Sequence, residues 1–169
     1  MKIYITKETL DKIQKTVGTF KPEQGGMLGM ENGIITQFAF DNSGSRTGGT
    51  YSPDITFCNS IIRDWESKNI RFCGFIHSHP STYRKLSPGD KEYAERIIKA
   101  MPRMTQGYLE MPILYFDINN TPKILWFCYK DGTITTKEIE TEIPSTSIIQ
   151  APPPQRRVIR SKPISVMWK

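Results

Sequence analysis

The chain is short of several things. It has only three cysteines among 169 residues, Cys58, Cys73 and Cys128, an odd set without a CxxC spacing. That excludes a disulfide framework and a thiolate zinc knuckle, and leaves three reduced, buried, small apolar side chains. No stretch approaches the roughly 18 consecutive apolar residues of a membrane-spanning helix. The opening MKIYITKETL also lacks an apolar run of signal-peptide length. A cytoplasmic protein with no membrane partner is expected. Charge of one sign is scarce in most of the chain. The net charge is +6, yet residues 151–169 hold five basic and no acidic side chains, leaving 18 basic and 17 acidic in the first 150. Any attraction for polyanions is therefore a property of the tail, and nucleic acid is not an expected partner of the body.

What is present suits one soluble domain. Hydrophobic residues make up 37% and charged residues 24%, enough for a real core at this length. No repeat is visible. After about residue 141 the composition shifts to TEIPSTSIIQAPPPQRRVIRSKP, and three consecutive prolines, 152–154, favour an extended segment. The expected organisation is a domain over 1–142 and a proline-rich basic tail or linker over 143–169.

Within the domain, strand and helix signals alternate. Lys2–Ile5 reads as a strand, and Thr6 caps a helix whose Leu10, Ile13 and Val17 share one face. GGMLGMENGIITQFAF reads as two strands joined at Glu31-Asn32-Gly33. DNSGSRTGG reads as a loop. Ser52-Pro53 gives a helix cap followed by proline, and Ser87-Pro88 repeats the signal. Strands are expected over 71–76, 111–116, 123–129 and 133–139. The fold class is mixed α/β, a mixed β-sheet flanked by about three helices.

The chain has two histidines, and they stand two apart in Phe75-Ile76-His77-Ser78-His79-Pro80. In extended chain, side chains two apart point to the same side, so both imidazoles reach one volume of space. Asp90 follows eleven residues later, three positions into the helix that Ser87 caps, which puts its carboxylate near the helix N-terminus. Two neutral nitrogens and one carboxylate, with a fourth position left for water, are the ligand set of a catalytic zinc site.

His77, His79, Ser87 and Asp90 fit HxHx7SxxD at every fixed position, and in this the sequence resembles the JAMM (MPN+ or JAB) metallopeptidases. The resemblance covers most of residues 1–140. It implies an MPN/JAB-like fold and one Zn2+ per chain held by His77, His79 and Asp90. It also implies an upstream glutamate, and Glu23 in PEQGGMLGM stands where that residue would be. Glu23 would take a proton from the attacking water and later deliver it to the leaving amine, and Ser87 would hydrogen-bond the oxyanion or the water. Glycines 25, 26 and 29 permit the close backbone approach that would bring Glu23 near the metal. The substrate class implied is ubiquitin or a ubiquitin-like protein joined through its C-terminal glycine. Hydrolysis of that amide or isopeptide bond is deconjugation or precursor processing. The compact chain is similar to prokaryotic members, for which adenylating and conjugating enzymes of a bacterial ubiquitin-like system are expected partners.

Taken singly, Asp90 is an acid favouring the helix dipole, Ser87 a cap, and Ser78 and Pro80 loop geometry. The competing functional reading is a non-catalytic MPN-like scaffold that binds a protein partner; members of that kind generally lack the full ligand set that this chain keeps.

Overall fold

The structure is a computed structural model that describes residues 1–18, 23–47 and 50–141. The tail expected over 143–169 lies outside the described residues. In chain order the elements are β1 (Lys2–Ile5), α1 (Lys7–Thr16), β2 (Gly25–Glu31), β3 (Ile34–Phe40), β4 (Ser45–Thr47), β5 (Thr50–Ser52), α2 (Ile55–Ser67), β6 (Arg71–Ser78), α3 (Pro88–Ala100), α4 (Pro102–Thr105), β7 (Tyr108–Glu110), β8 (Ile113–Phe116), β9 (Pro122–Lys130) and β10 (Thr133–Glu140). None of the helices among them is long and apolar enough to cross a membrane.

The local signals act as the sequence suggests. Thr6 caps α1, its side chain accepting from the Thr9 N–H at 3.3 Å. Asn32-Gly33 and Asp131-Gly132 turn β2 into β3 and β9 into β10, with positive φ at all four residues, the conformation of a tight hairpin turn. Helix α2 starts later than expected. Its cap is Asp54, whose carboxylate accepts from the Phe57 N–H at 2.7 Å, because Ser52 is taken up as the last residue of β5. DNSGSRTGG is likewise more than a loop: its Ser45–Thr47 pairs antiparallel with Thr50–Ser52.

The expected sheet flanked by about three helices is overturned. Seven strands close on themselves in the order β10, β1, β3, β2, β6, β7, β9 and back to β10, so the protein is a mixed α/β barrel. Closure is made where β10 lies between β9, antiparallel, and β1, parallel, with Lys2 opposite Glu138. The reason is hydrogen bonding: a β10 paired on one side only would leave a bare row of N–H and C=O groups, and β1 satisfies it. Alternation within a strand marks its faces but is silent about its neighbours. The seam also holds a polar knot. Glu110 on β7, fully buried, meets Lys137 of β10 and accepts from Trp126 Nε1 of β9 at 2.7 Å.

Strands β7 and β8 occupy one lane, with β6 on one side and β9 on the other. Glu110 faces Cys128 and Ile113 faces Leu125, a single register interrupted at Met111-Pro112. At the interruption the Pro112 carbonyl accepts from the His77 N–H at 3.4 Å. Gly74 makes the lane narrow, since a Cβ there would lie 1.8 Å from the Glu110 carbonyl oxygen.

Strands β2 and β6 separate two apolar clusters. Leu28, Cys73 and Ile76 pack with Ile13 of α1 and Val17, its C-terminal cap, on one face. Met27, Phe72 and Phe75 pack with Cys58, Ile62 and Trp65 of α2 and Ala94 and Ile97 of α3 on the other. That second packing brings the start of α3 against the end of β6, and with it Asp90 to the histidines. Cys58, Cys73 and Cys128 are buried and free; burial pushes the Cys58 and Cys73 thiols well above their ordinary range.

Candidate metal centre

Strand β6 ends at Ser78, but the extended backbone continues, the His79 N–H donating to the Leu114 carbonyl at 2.9 Å. His77 and His79 are therefore buried on the same side, their rings 4.6 Å apart. Asp90 sits at the third position of α3 and completes a capping box. Ser87 Oγ accepts from the Asp90 N–H at 3.1 Å, and Asp90 Oδ2 accepts from the Ser87 N–H at 2.7 Å.

The three side chains converge. His77 Nε2 lies 2.8 Å from His79 Nε2 and 3.2 Å from Asp90 Oδ1, and His79 Nε2 lies 3.6 Å from Asp90 Oδ2. Around a tetrahedral ion with bonds of about 2.0–2.1 Å, neighbouring donor atoms stand about 3.3–3.5 Å apart. The two imidazole–carboxylate separations, each to a different Asp90 oxygen, bracket that spacing, and the imidazole pair needs to open by about half an ångström. The tautomer fits too. His79 Nδ1 faces the Tyr83 carbonyl at 3.2 Å. A carbonyl has no proton to give, so Nδ1 carries it and Nε2 of the neutral ring presents its lone pair to the centre. The group is able to hold a metal ion.

Electrostatics favour ligands ready to bind. Burial, helped by the His77 charge, lowers the pKa of His79 against the opposing pull of Asp90 and the Tyr83 carbonyl. Burial pushes the Asp90 carboxyl up, but hydrogen bonds from His77 and Ser87 overcome it and hold the group well below the usual carboxylate range. Neutral imidazole and ionised carboxylate are the binding forms of both.

A cavity of about 430 Å³ opens over the centre, lined by Glu23 together with Tyr51, Phe75, Tyr83, Tyr93 and Met111. Glu23 is half-buried. Burial raises its pKa, the Asp90 charge adds to the rise, and the His77 charge and a hydrogen bond from the Tyr51 N–H oppose it. Glu23, His77, His79, Ser87 and Asp90 thus all line this cavity. The Ser87 hydroxyl donates to Asp90 Oδ2 at 2.7 Å and so holds the carboxylate.

Ser78, expected as loop geometry, instead ends β6 and links the histidine strand to Gln24, the neighbour of Glu23. Its N–H donates to the Gln24 carbonyl at 2.7 Å, and its Oγ accepts from the Gln24 N–H at 2.9 Å. A polar residue between two ligands in a strand must face away from them, and that was the available signal. Tyr51, Tyr83 and the buried Asp41 were missed, because nothing in their spacing sets them apart.

No family model matches the sequence. Among curated proteins the chain is similar to a DNA mismatch repair protein MutS from Carboxydothermus hydrogenoformans, with 24% identity over 110 residues; the match takes 64% of this chain and spans 13% of that protein. Among solved structures it is similar to a protein of Desulfitobacterium hafniense, with TM-score 0.62 and 19% identity over 86% of this chain and 97% of that one. A JAB1/MPN domain protein from Archaeoglobus fulgidus is similar with TM-score 0.45 and 17% identity, over 82% and 98% of the two chains. So is a structure described as a JAMM metalloprotease-like zinc site in the proteasome and signalosome, with TM-score 0.45 and 17% identity, over 83% and 99%. At 19% identity the likeness to the Desulfitobacterium hafniense protein is one of fold.

Proposed function

We propose that this chain, whose structural neighbours include JAB1/MPN and JAMM proteins, is a zinc-dependent isopeptidase. It would hydrolyse the bond after the C-terminal glycine of a ubiquitin-like protein. The observation that carries the reading is the convergence of His77, His79 and Asp90 beneath a cavity that Glu23 also lines. His77 Nε2, His79 Nε2 and one Asp90 oxygen would hold the ion. Zinc in such a site supplies Lewis acidity to a carbonyl and makes water in its open position acidic enough to give up a proton near neutral pH.

The chain's own residues do the rest. Glu23 receives the proton of the attacking water and passes it to the departing amine. Its raised pKa makes it the better base for the first half of that task. Ser87 keeps Asp90 Oδ2 fixed, and His79 is kept in the binding tautomer by the Tyr83 carbonyl. The apolar wall of Phe75 and Met111 limits water beside the reacting bond.

The test is to purify the protein, measure bound zinc, and follow cleavage of a ubiquitin-like fusion at the glycine. Glu23→Ala is expected to retain zinc and lose roughly 10²–10⁴-fold in kcat, the usual worth of a positioned acid-base group. A wild-type protein that binds no zinc and turns nothing over would end the enzymatic reading; stoichiometric capture of a partner by that protein is the outcome the scaffold reading requires.

A further inference from the structure

Asp41, directly after β3, is fully buried and accepts five hydrogen bonds. Oδ1 takes the Ser43 N–H at 3.1 Å, the Ser43 hydroxyl at 3.2 Å and the Gly44 N–H at 2.8 Å. Oδ2 takes the Tyr51 hydroxyl at 2.9 Å and the Asp54 N–H at 2.8 Å. One carboxylate therefore ties the end of β3, the β4–β5 hairpin and the capping residue of α2. It is also tied to β2, since the Asp41 N–H donates to the Gly25 carbonyl at 3.0 Å.

Tyr51 is where this knot reaches the metal centre. Its ring lies flush on Gly25, so that a Cβ added there would meet Tyr51 Cε1 at 2.4 Å. The same ring lines the cavity. The Tyr51 N–H, in turn, donates to the Glu23 carboxylate. The ring is held at its hydroxyl by Asp41 and packed against Gly25, and the backbone is held in the β4–β5 hairpin opposite Arg46. Half-buried Glu23 belongs to the short lead into β2, whose Gln24 is held through its backbone by Ser78. The backbone is thus fixed from the β6 side and the carboxylate from the β5 side.

We propose that Asp41 is a positioning residue for Glu23, acting through Tyr51: the buried carboxylate fixes the tyrosine, and the tyrosine N–H fixes the glutamate against the metal centre. Asp41 touches neither substrate nor metal. The inference rests on Glu23 being the group that carries the proton, but its structural half, the chain from Asp41 to Tyr51 to Glu23, does not.

Two variants and two readouts test it. Asp41→Asn replaces an acceptor by a donor facing groups that themselves donate, and Tyr51→Phe deletes only the hydroxyl bond. Amide hydrogen exchange of the zinc-loaded protein is expected to show the Tyr51 N–H protected in the wild type and at least about tenfold faster in both variants, with amides of β6 unchanged. In cleavage of the ubiquitin-like fusion, kcat is expected to fall roughly 10–100-fold, as for a reacting group displaced by part of an ångström, with KM within about twofold and bound zinc unaltered. A merely structural role would lower thermal stability without this split. Should Asp41→Asn not fold, Tyr51→Phe carries the test alone. A Tyr51 amide equally protected in wild type and variants overturns the proposal, and so does wild-type kcat in folded Tyr51→Phe. If the wild type cleaves nothing, exchange alone decides, so failure of the isopeptidase reading stays distinct from failure of the Asp41 chain.

Discussion

Replacing Ser87 by alanine deletes one hydroxyl that does two things: it accepts from the Asp90 N–H and donates to Asp90 Oδ2. Loss of a serine cap costs about 1 kcal/mol. Loss of a hydrogen bond to a carboxylate adds about 1.5 kcal/mol where the group is largely buried, as the Asp90 side chain is at 19% exposure. The Ser87 N–H bond to Oδ2 survives the change, so the sum is held to about 2 kcal/mol, or a Tm lower by roughly 4–8 °C for a chain of this size. A carboxylate freed to turn is also a poorer ligand, and zinc affinity is expected to fall roughly 10–100-fold. The assays are thermal melting of the chelated protein and competition for zinc against a chromophoric chelator, with Ser87→Thr as the variant that keeps the hydroxyl. The contrary role, donation to an oxyanion, predicts the opposite pattern. Removing such a donor costs roughly 10²–10³ in kcat and leaves metal affinity alone. Ser87→Ala with unchanged Tm and zinc affinity but kcat reduced on that scale would refute the assignment to Asp90.

Acid should loosen the metal-free protein through His79. Its pKa is lowered on folding, so the unfolded chain binds the proton more readily; the stability due to the neutral ring is whole above about 6.5 and is lost as pH falls from there toward the lower folded value. Glu23, with its raised pKa, slopes the other way, so the quantity to read is the difference between wild type and His79→Gln in urea melts from pH 8 to 5. Parallel curves would contradict the mechanism. Gly74→Ala places a methyl 1.8 Å from the Glu110 carbonyl oxygen and must part β6 from β7. A loss of at least about 3 kcal/mol is expected in denaturant titration, and a change within about 0.5 kcal/mol would mean the strands are not that close.

The grouping of His77, His79 and Asp90 was legible because its signals are local and of different kinds. The spacing of His77 and His79 reports a shared strand face, and Ser87-Pro88 reports where a helix begins, which fixes Asp90 without knowledge of the fold. Where two local signals competed, the sequence misled: Ser52-Pro53 has the form of a helix start, but Asp54 takes the cap once Ser52 pairs with Ser45. Closure of the barrel was not legible. It depends on Lys2 meeting Glu138, a pairing between distant residues that no window of sequence contains. Asp41 was hidden for another reason: its partners follow within 13 residues, but at no spacing that sets it apart from an ordinary loop aspartate.

Because the seam joins the first described strand to the last described one, its parts are made far apart in time during synthesis. His77, His79 and Asp90 have all emerged from the ribosome some fifty residues before Glu138 can reach Lys2. A nascent chain can thus own its whole set of ligands while its barrel still gapes, and the slow, long-range zippering of the two ends comes last. Under the proposed zinc site, metal captured at that stage would draw β6 and α3 together early and act as a template for folding.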